Sequence, residues 1–383
     1  MSRPVILVAD PLADAGLQVL RKGGEVVERI GLAPEEMRQA AANADAIVVR
    51  SSSQITADIM EAASRLRVVA RAGVGVDNID VDAATRLGIL VVNSPAGNTL
   101  AAAEHTIAML LAAARNIPQA HAAMRSGRWD RGKFMGRQIL GKTLGVVGFG
   151  RIGREVAARA RGLGLRVLAY DPFISDDRVA AEGAQAVGLD QLLAESDFVT
   201  LHAQLTPETE GMIGEAELRR MKPSALLINC ARGTLVQEKA LVQALQEGWI
   251  DGAALDVFAD DKHPSQELLE MPNVVVTPHL GASTEEAQVQ VAVDVAEQVV
   301  AVLQGQPARS PVNAPALKPE EQEALAHYIE LAEALGRLAA VLARRAPHRV
   351  TVAACDNVAD EHMSLLARYL VAAYVRRATG QMA

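Results

Sequence analysis

The chain has 383 residues, 50% of them hydrophobic and 22% charged, enough apolar material for two or three packed domains. A formal charge of −8 and an aromatic content of 3% exclude a protein that works by neutralising phosphate backbones or by stacking bases. Two cysteines, Cys230 and Cys355, are too few for a disulfide framework, so a reducing, cytoplasmic setting is expected. The opening MSRPVILVADP does not read as a targeting segment, and no apolar run reaches the length of a span. Neither a nucleic-acid partner nor a membrane is therefore expected.

In chain order, short continuous apolar runs alternate with helical patterns. VILVA (5–9), AIVVR (46–50), RVVARAG (67–73) and ILVVN (89–93) have the composition of strands buried on both faces. Helical spacing falls at 13–22, 34–43 and 56–63, which closes a first α/β unit near residue 97. After a long Ala-rich helix (99–115), a second series of strands is predicted at 143–150, 166–171, 198–203, 225–231, 252–258 and 274–279. Helices at about 152–163, 189–195, 215–220 and 238–247 separate them. Such alternation implies an α/β protein with two doubly wound parallel sheets of Rossmann type. Ser283-Thr284-Glu285-Glu286 reads as a capping box opening a helix to about 303. A Pro-rich connection (305–315) then leads into a small C-terminal extension, 312–383. In it Leu325, Tyr328, Leu331, Leu335, Leu338 and Leu342 recur at helical spacing, a stripe expected to pack on another helix. A strand at 349–354 and a helix at about 361–378 complete the prediction.

Gly148-Phe149-Gly150-Arg151-Ile152-Gly153 is a GxGxxG placed after an apolar strand and before a helical pattern, the context the dinucleotide fingerprint requires. Gly148 permits the tight turn, Gly150 lets a pyrophosphate approach the backbone, and Gly153 lets helix and strand pack closely. With Arg151 and Ile152, these glycines open a helix whose N-terminus presents free N–H groups to an anion. The next strand ends in Asp171, eighteen residues after Gly153. A carboxylate there accepts from the two ribose hydroxyls and repels a 2′-phosphate, so the expected cofactor is NAD rather than NADP. No metal is expected.

In open α/β sheets ligands bind at the carboxyl ends of strands. The polar residues at those ends are Arg232 in NCARG, Asp256 in ALDVF with Asp261 just beyond, and His279 in TPHLG. Hydride removal from a secondary alcohol needs a base for the hydroxyl proton and a cation for a neighbouring carboxylate. His279 suits the first, because an imidazole titrates near working pH. Arg232 suits the second, because its fork matches a carboxylate.

GFGRIG, NCARGTLV, ALDVF and TPHLGAST together resemble the D-isomer-specific 2-hydroxyacid dehydrogenase family over about residues 1–311. The resemblance implies a substrate-binding domain (1–97 and 283–311) and an NAD-binding Rossmann domain (98–282), with the active site in the cleft. It implies that Arg232 orients the substrate, that His279 exchanges its proton, and that Asp256 and Cys230 lie with the cofactor. The backbone of Val74 and Gly75 would bind the substrate carboxylate, with Asn78 and Arg50 in the same pocket. VRSSSQIT, RAGVGVDNID and RWDRGKFMG resemble the members of that family that act on a phosphorylated 2-hydroxy acid, which implies a phosphate held by Arg50, Arg71 and Arg131, the last from a partner subunit. A homodimer or homotetramer is implied, with the helix near 99–115 at a dimer contact. Two other readings are open: the same chemistry on an unphosphorylated acid such as glyoxylate or hydroxypyruvate, or a dinucleotide-sensing binding protein.

The sequence departs from the family where it matters most. The family's pattern has a glutamate five residues after the aspartate of DVF, paired with the histidine; here that residue is Asp261, followed by Lys262 instead of proline. The side chain is one methylene shorter, and a misplacement of about 1 Å in a catalytic array can cost about a hundredfold in rate. Pairing of Asp261 with His279 is still expected, favouring the protonated imidazole.

Overall fold

Runs such as AIVV and FVTL carry no polar side chain to show to water, so they form strands only where both faces are covered. The computed structural model describes residues 3–314, 319–343, 349–353 and 360–379. By internal contacts the chain divides into two units, Met1–Ser94 with Ala292–Ala383, and Pro95–Val291.

The first unit holds a five-stranded sheet of β1 (Val5–Val8), β2 (Glu25–Glu28), β3 (Ala46–Val49), β4 (Val68–Arg71) and β5 (Leu90–Asn93), ordered β2-β1-β3-β4-β5. Every pairing is parallel. Strand β2, EVVE, was not expected. It lies at the edge, short and charged at both ends, so its pattern lacks the continuous apolar signature of its neighbours. On one face of the sheet Leu7, Ile47, Val69 and Val91 meet Met37, Ile59 and Met60 in one core.

The second unit holds seven parallel strands. They are β6 (Thr143–Val147), β7 (Arg166–Tyr170), β8 (Gln185–Ala186), β9 (Phe198–Leu201), β10 (Leu226–Asn229), β11 (Gly252–Leu255) and β12 (Val274–Val276). The order β12-β11-β10-β9-β6-β7-β8 reverses direction of growth at β6 and β9, the switch point where doubly wound sheets bind ligands. Cores cover both faces: Val147, Leu168, Val199, Leu227 and Leu255 on one, Leu144, Val146, Val167, Phe198 and Ile228 on the other. The helix Thr99–Ala114 packs into the second of these through Ala103, Met109, Leu110 and Ala114.

Most expected strands of this unit run too long at the carboxyl end. The ladder stops at Val147, Leu201, Asn229, Leu255 and Val276, and the following residues turn into loops. The loops after β9, β10 and β11 stay buried or partly buried, so their hydropathy does not fall where the hydrogen bonding ends. Two corrections concern the rest of the chain. The helix Glu285–Leu303 is capped by Thr284, whose Oγ1 accepts from the Ala287 N–H at 3.2 Å, not by Ser283. Residues 349–353 form no strand, and residue 354 lies outside the described residues.

Helices Pro319–Leu342 and Asp360–Thr379 pack together, but of the expected stripe Leu325 alone is buried. A Cβ on Gly336 would overlap the Leu370 carbonyl, so small residues bring the two backbones close. Tyr328, Leu331, Leu335, Leu338 and Leu342 are left exposed on a different face. Among the described residues, no helix is long and apolar enough to cross a membrane.

Candidate active site

Three neighbouring strands of the second sheet deliver the polar residues. Arg232 follows β10, Asp256 follows β11 with Asp261 five residues on, and His279 follows β12. Parallel strands put all these loops at one edge of the sheet. The first two loops are also in direct contact: a Cβ on Gly233 would overlap the carbonyl of Phe258, so only glycine lets the Arg232 turn settle there. Asn229 braces that turn, donating to the Arg232 carbonyl at 2.9 Å and accepting from the Ala231 N–H at 3.1 Å. The half-buried Arg232 guanidinium donates to the Ala231 carbonyl at 2.8 Å.

His279 Nδ1 stands 2.6 Å from Asp261 Oδ2. The missing methylene is made up by the loop: Asp261 Oδ1 accepts from the N–H of Phe258, three residues back, at 2.8 Å. That turn carries the short side chain to the imidazole. Burial raises the Asp261 carboxyl, but the bonds from His279 and Phe258 outweigh it and hold the group below the usual carboxylate range. An ionised carboxylate only accepts, so Nδ1 carries the proton and Nε2 is left as the basic nitrogen. His279 itself has φ of +55°, a left-handed backbone that is uncommon outside glycine and concentrates at functional sites.

Asp256 is fully buried. Its Oδ1 accepts from Thr277 Oγ1 at 2.6 Å and Leu280 N at 2.7 Å, and its Oδ2 from Gly281 N at 2.8 Å. Burial works against its charge, yet those donors and His105 keep the carboxyl below its ordinary value. Cys230 lies beside it. Burial, with the charge of Asp256, pushes the thiol up to about 12, so it stays neutral.

The fingerprint turn follows β6. Gly148 has φ of +90°, and a Cβ there would press on the Ala203 N–H. On Gly153 it would overlap the Gly148 carbonyl, where helix Arg151–Gly162 crosses the strand. At Gly150 it would meet nothing within 4 Å. Two glycines are therefore needed for packing, and the third keeps open the ground before the helix N-terminus, where a pyrophosphate fits. Arg151 and Ile152 form the first turn of that helix. Asp171 accepts from Phe149 N at 2.8 Å and Phe173 N at 2.9 Å, which fixes its carboxylate beside the turn with lone pairs to spare for ribose hydroxyls.

In the first unit, Arg50 follows β3, and Arg71 ends β4 with Val74, Gly75 and Asn78 in the loop after it. Buried Asn78 spends its amide hydrogens on the carbonyls of Arg50 at 2.8 Å and Ser53 at 2.6 Å. Asp10, which sequence reasoning missed, accepts from Arg50 N at 2.6 Å and from Ser53 Oγ at 2.8 Å. Arg131 opens an exposed turn of 3-10 helix in the second unit. His105 was also missed. A lone histidine in an Ala-rich helix carries no local signal, yet its Nε2 lies 3.1 Å from both Asp256 Oδ1 and Thr277 Oγ1.

Residues 107–281 match the model of the D-isomer specific 2-hydroxyacid dehydrogenase NAD-binding domain. A protein of Archaeoglobus fulgidus named D-3-phosphoglycerate dehydrogenase is 44% identical over 96% of this chain and 70% of its own length. The chain belongs to the D-isomer specific 2-hydroxyacid dehydrogenase family. A D-3-phosphoglycerate dehydrogenase of Synechocystis sp. is 50% identical over 93% of this chain, and the chain spans 64% of that protein's length. A solved D-lactate dehydrogenase of Aquifex aeolicus, complexed with NAD and lactic acid, is 29% identical with a TM-score of 0.73, covering 82% of this chain and 100% of its own. Within this dehydrogenase family the NAD-binding domain is thus the second unit, and its fingerprint turn fits the cofactor.

Proposed function

We propose that the chain catalyses the NAD-dependent oxidation of D-3-phosphoglycerate to 3-phosphohydroxypyruvate, the first step of L-serine biosynthesis. The observation that carries this reading is the 2.6 Å pair of His279 and Asp261 at the strand edge that also bears Arg232. Relatives named for that reaction, matched over most of the chain, supply the substrate. The Gly148–Gly153 turn and Asp171 would hold NAD, which would supply the acceptor for the hydride leaving C2. His279 Nε2 removes the hydroxyl proton, and Asp261 stabilises the imidazolium that results. Arg232 holds the substrate carboxylate and polarises the forming carbonyl. On the first unit, the Val74–Gly75 backbone adds N–H donors for the carboxylate, and Asn78 with Asp10 fixes the turn that presents Arg50. Arg50, Arg71 and Arg131 are the proposed cations for the phosphate. Cys230 stays a neutral, apolar neighbour of the cofactor.

The protein is also proposed to act as a homodimer or homotetramer in the cytoplasm. Ile117, Met124, Trp129 and Met135, following the long helix, expose large apolar groups that a second copy would cover. Sedimentation as a monomer would remove this part of the reading.

The decisive assay is NADH formation from D-3-phosphoglycerate, set against D-lactate and D-glycerate. Turnover with the phosphorylated acid that falls at least tenfold in kcat/KM on Arg50→Ala supports the assignment. Equal turnover of the unphosphorylated acids, indifferent to Arg50→Ala, would replace it with a simple hydroxyacid reductase. Tight NAD binding without turnover of any acid would point to a sensor.

A further inference from the structure

The turn that carries His279 is hung largely from one residue with no exposed surface, Asp256. The N–H groups of His279, Leu280 and Gly281 donate, in order, to the carbonyl of Asp256 at 2.9 Å, its Oδ1 at 2.7 Å and its Oδ2 at 2.8 Å. Three successive N–H groups converging on one residue fix the left-handed backbone at His279, φ +55°. The orientation of Asp256 therefore sets the direction of the imidazole.

What orients Asp256 from the other side is the helix Thr99–Ala114. His105 Nε2 lies 3.1 Å from Asp256 Oδ1 and 3.1 Å from Thr277 Oγ1. Proton bookkeeping settles the roles. The single hydroxyl hydrogen of Thr277 points to Asp256 Oδ1 at 2.6 Å, and a carboxylate has none to give. Nε2 of His105 must then be the donor, and it can be so in either charge state. The helix beneath it is immobilised by Ala103, Met109 and Leu110 in the core.

The donor atoms of His105, Cys230 and Asp256 come within 4.8 Å of one another, a grouping that could suggest a metal site. The chemistry argues otherwise. Both Asp256 oxygens are already engaged by backbone donors, and the Cys230 thiol is neutral in its buried setting. Ligation would have to break the bonds that hold the His279 turn.

We propose that His105 is a positioning residue for hydride transfer: its Nε2–H, bonded to Thr277 Oγ1 and lying beside Asp256 Oδ1, clamps the Thr277–Asp256 pair, and through it the 277–281 turn places the His279 imidazole. It touches neither substrate nor cofactor. The inference rests on the oxidoreductase reading for its kinetic arm only.

The test compares His105→Leu and His105→Gln in the full chain with the parent. Gln can donate from nearly the same point; Leu fills the space without a proton. With D-3-phosphoglycerate and NAD, His105→Leu should lower kcat by about tenfold, since a displacement well under 1 Å is enough. Both KM values should stay within about twofold of the parent's, and His105→Gln should recover most of the rate. Hydrogen exchange at the Leu280 and Gly281 amides, read without any turnover, should quicken in the Leu variant and return toward the parent in the Gln variant. A Leu variant with parental kcat and parental exchange would overturn the proposal, as would Leu and Gln variants equally impaired in both. If the parent turns over no 2-hydroxy acid, the functional reading fails, while the exchange arm still decides whether His105 clamps the turn.

Discussion

At the scale of single residues, the site depends on how a short carboxylate reaches an imidazole. Asp261 does so because its own loop doubles back, with Phe258 N holding one oxygen and His279 Nδ1 the other. The pair is about half exposed, so its worth lies in tautomer and orientation rather than in Coulomb energy. Asp261→Asn keeps the size but can present an amide to Nδ1, which favours the wrong tautomer. We expect kcat to fall by about 10²–10⁴ with little change in KM, as an interaction needed in the transition state is lost. Steady-state kinetics of the variant check this; a kcat within threefold of the parent's would remove Asp261 from the mechanism. The sequence made this pair legible only through its resemblance to the family, whose pattern places an acid at this position. The reach could not be read from it, since it turns on a hydrogen bond three residues away. Nor could His105, whose partners sit in sequence-distant loops.

At the scale of elements, loops of adjacent strands build the site by packing on one another. The Arg232 turn presses on the β11 loop where Gly233 meets the Phe258 carbonyl, and no side chain fits between them. Gly233→Ala must therefore push Arg232 away from the DVF loop. Overpacking of this kind costs roughly 1–3 kcal/mol, and for a unit of this size each kcal/mol lowers Tm by about 2–4 °C. The expected result is a modest drop in Tm with a larger loss of kcat/KM, measured by calorimetry and initial rates. Parental values of both would mean the turn relaxes freely. The strand runs themselves were readable because buried parallel strands are continuously apolar. Their ends were not, because the loops after β9, β10 and β11 stay partly buried and keep the apolar signature past the ladder.

On the scale of the whole molecule, stability should follow pH in two stages. Burial drives His202 from its ordinary 6.5 down to about 3, with Nε2 3.0 Å from Thr200 Oγ1. The unfolded chain binds that proton more readily than the folded one between those values, so stability falls as pH drops below 6.5. Asp256 and Asp261 act lower down. Their folded carboxyls lie below the ordinary 3.8, so their contribution is whole above that value and is lost as pH falls through the folded ones. Urea melts at several pH values should show the first loss between about 6 and 4, and His202→Gln should flatten it. A parental slope in that variant would place the titrating group elsewhere. By itself, the amino-acid sequence determined the α/β architecture and the dinucleotide turn and named His279 and Arg232 as candidates for the chemistry, because periodicity, glycine spacing and residue chemistry are local properties. Only tertiary structure decided that Asp261 reaches His279, that Gly336 lets the last two helices approach closely while most of the leucine stripe stays exposed, and that His105 lies against Asp256. Each of these depends on which distant backbones come within hydrogen-bond or van der Waals range, and no spacing along the chain encodes that distance.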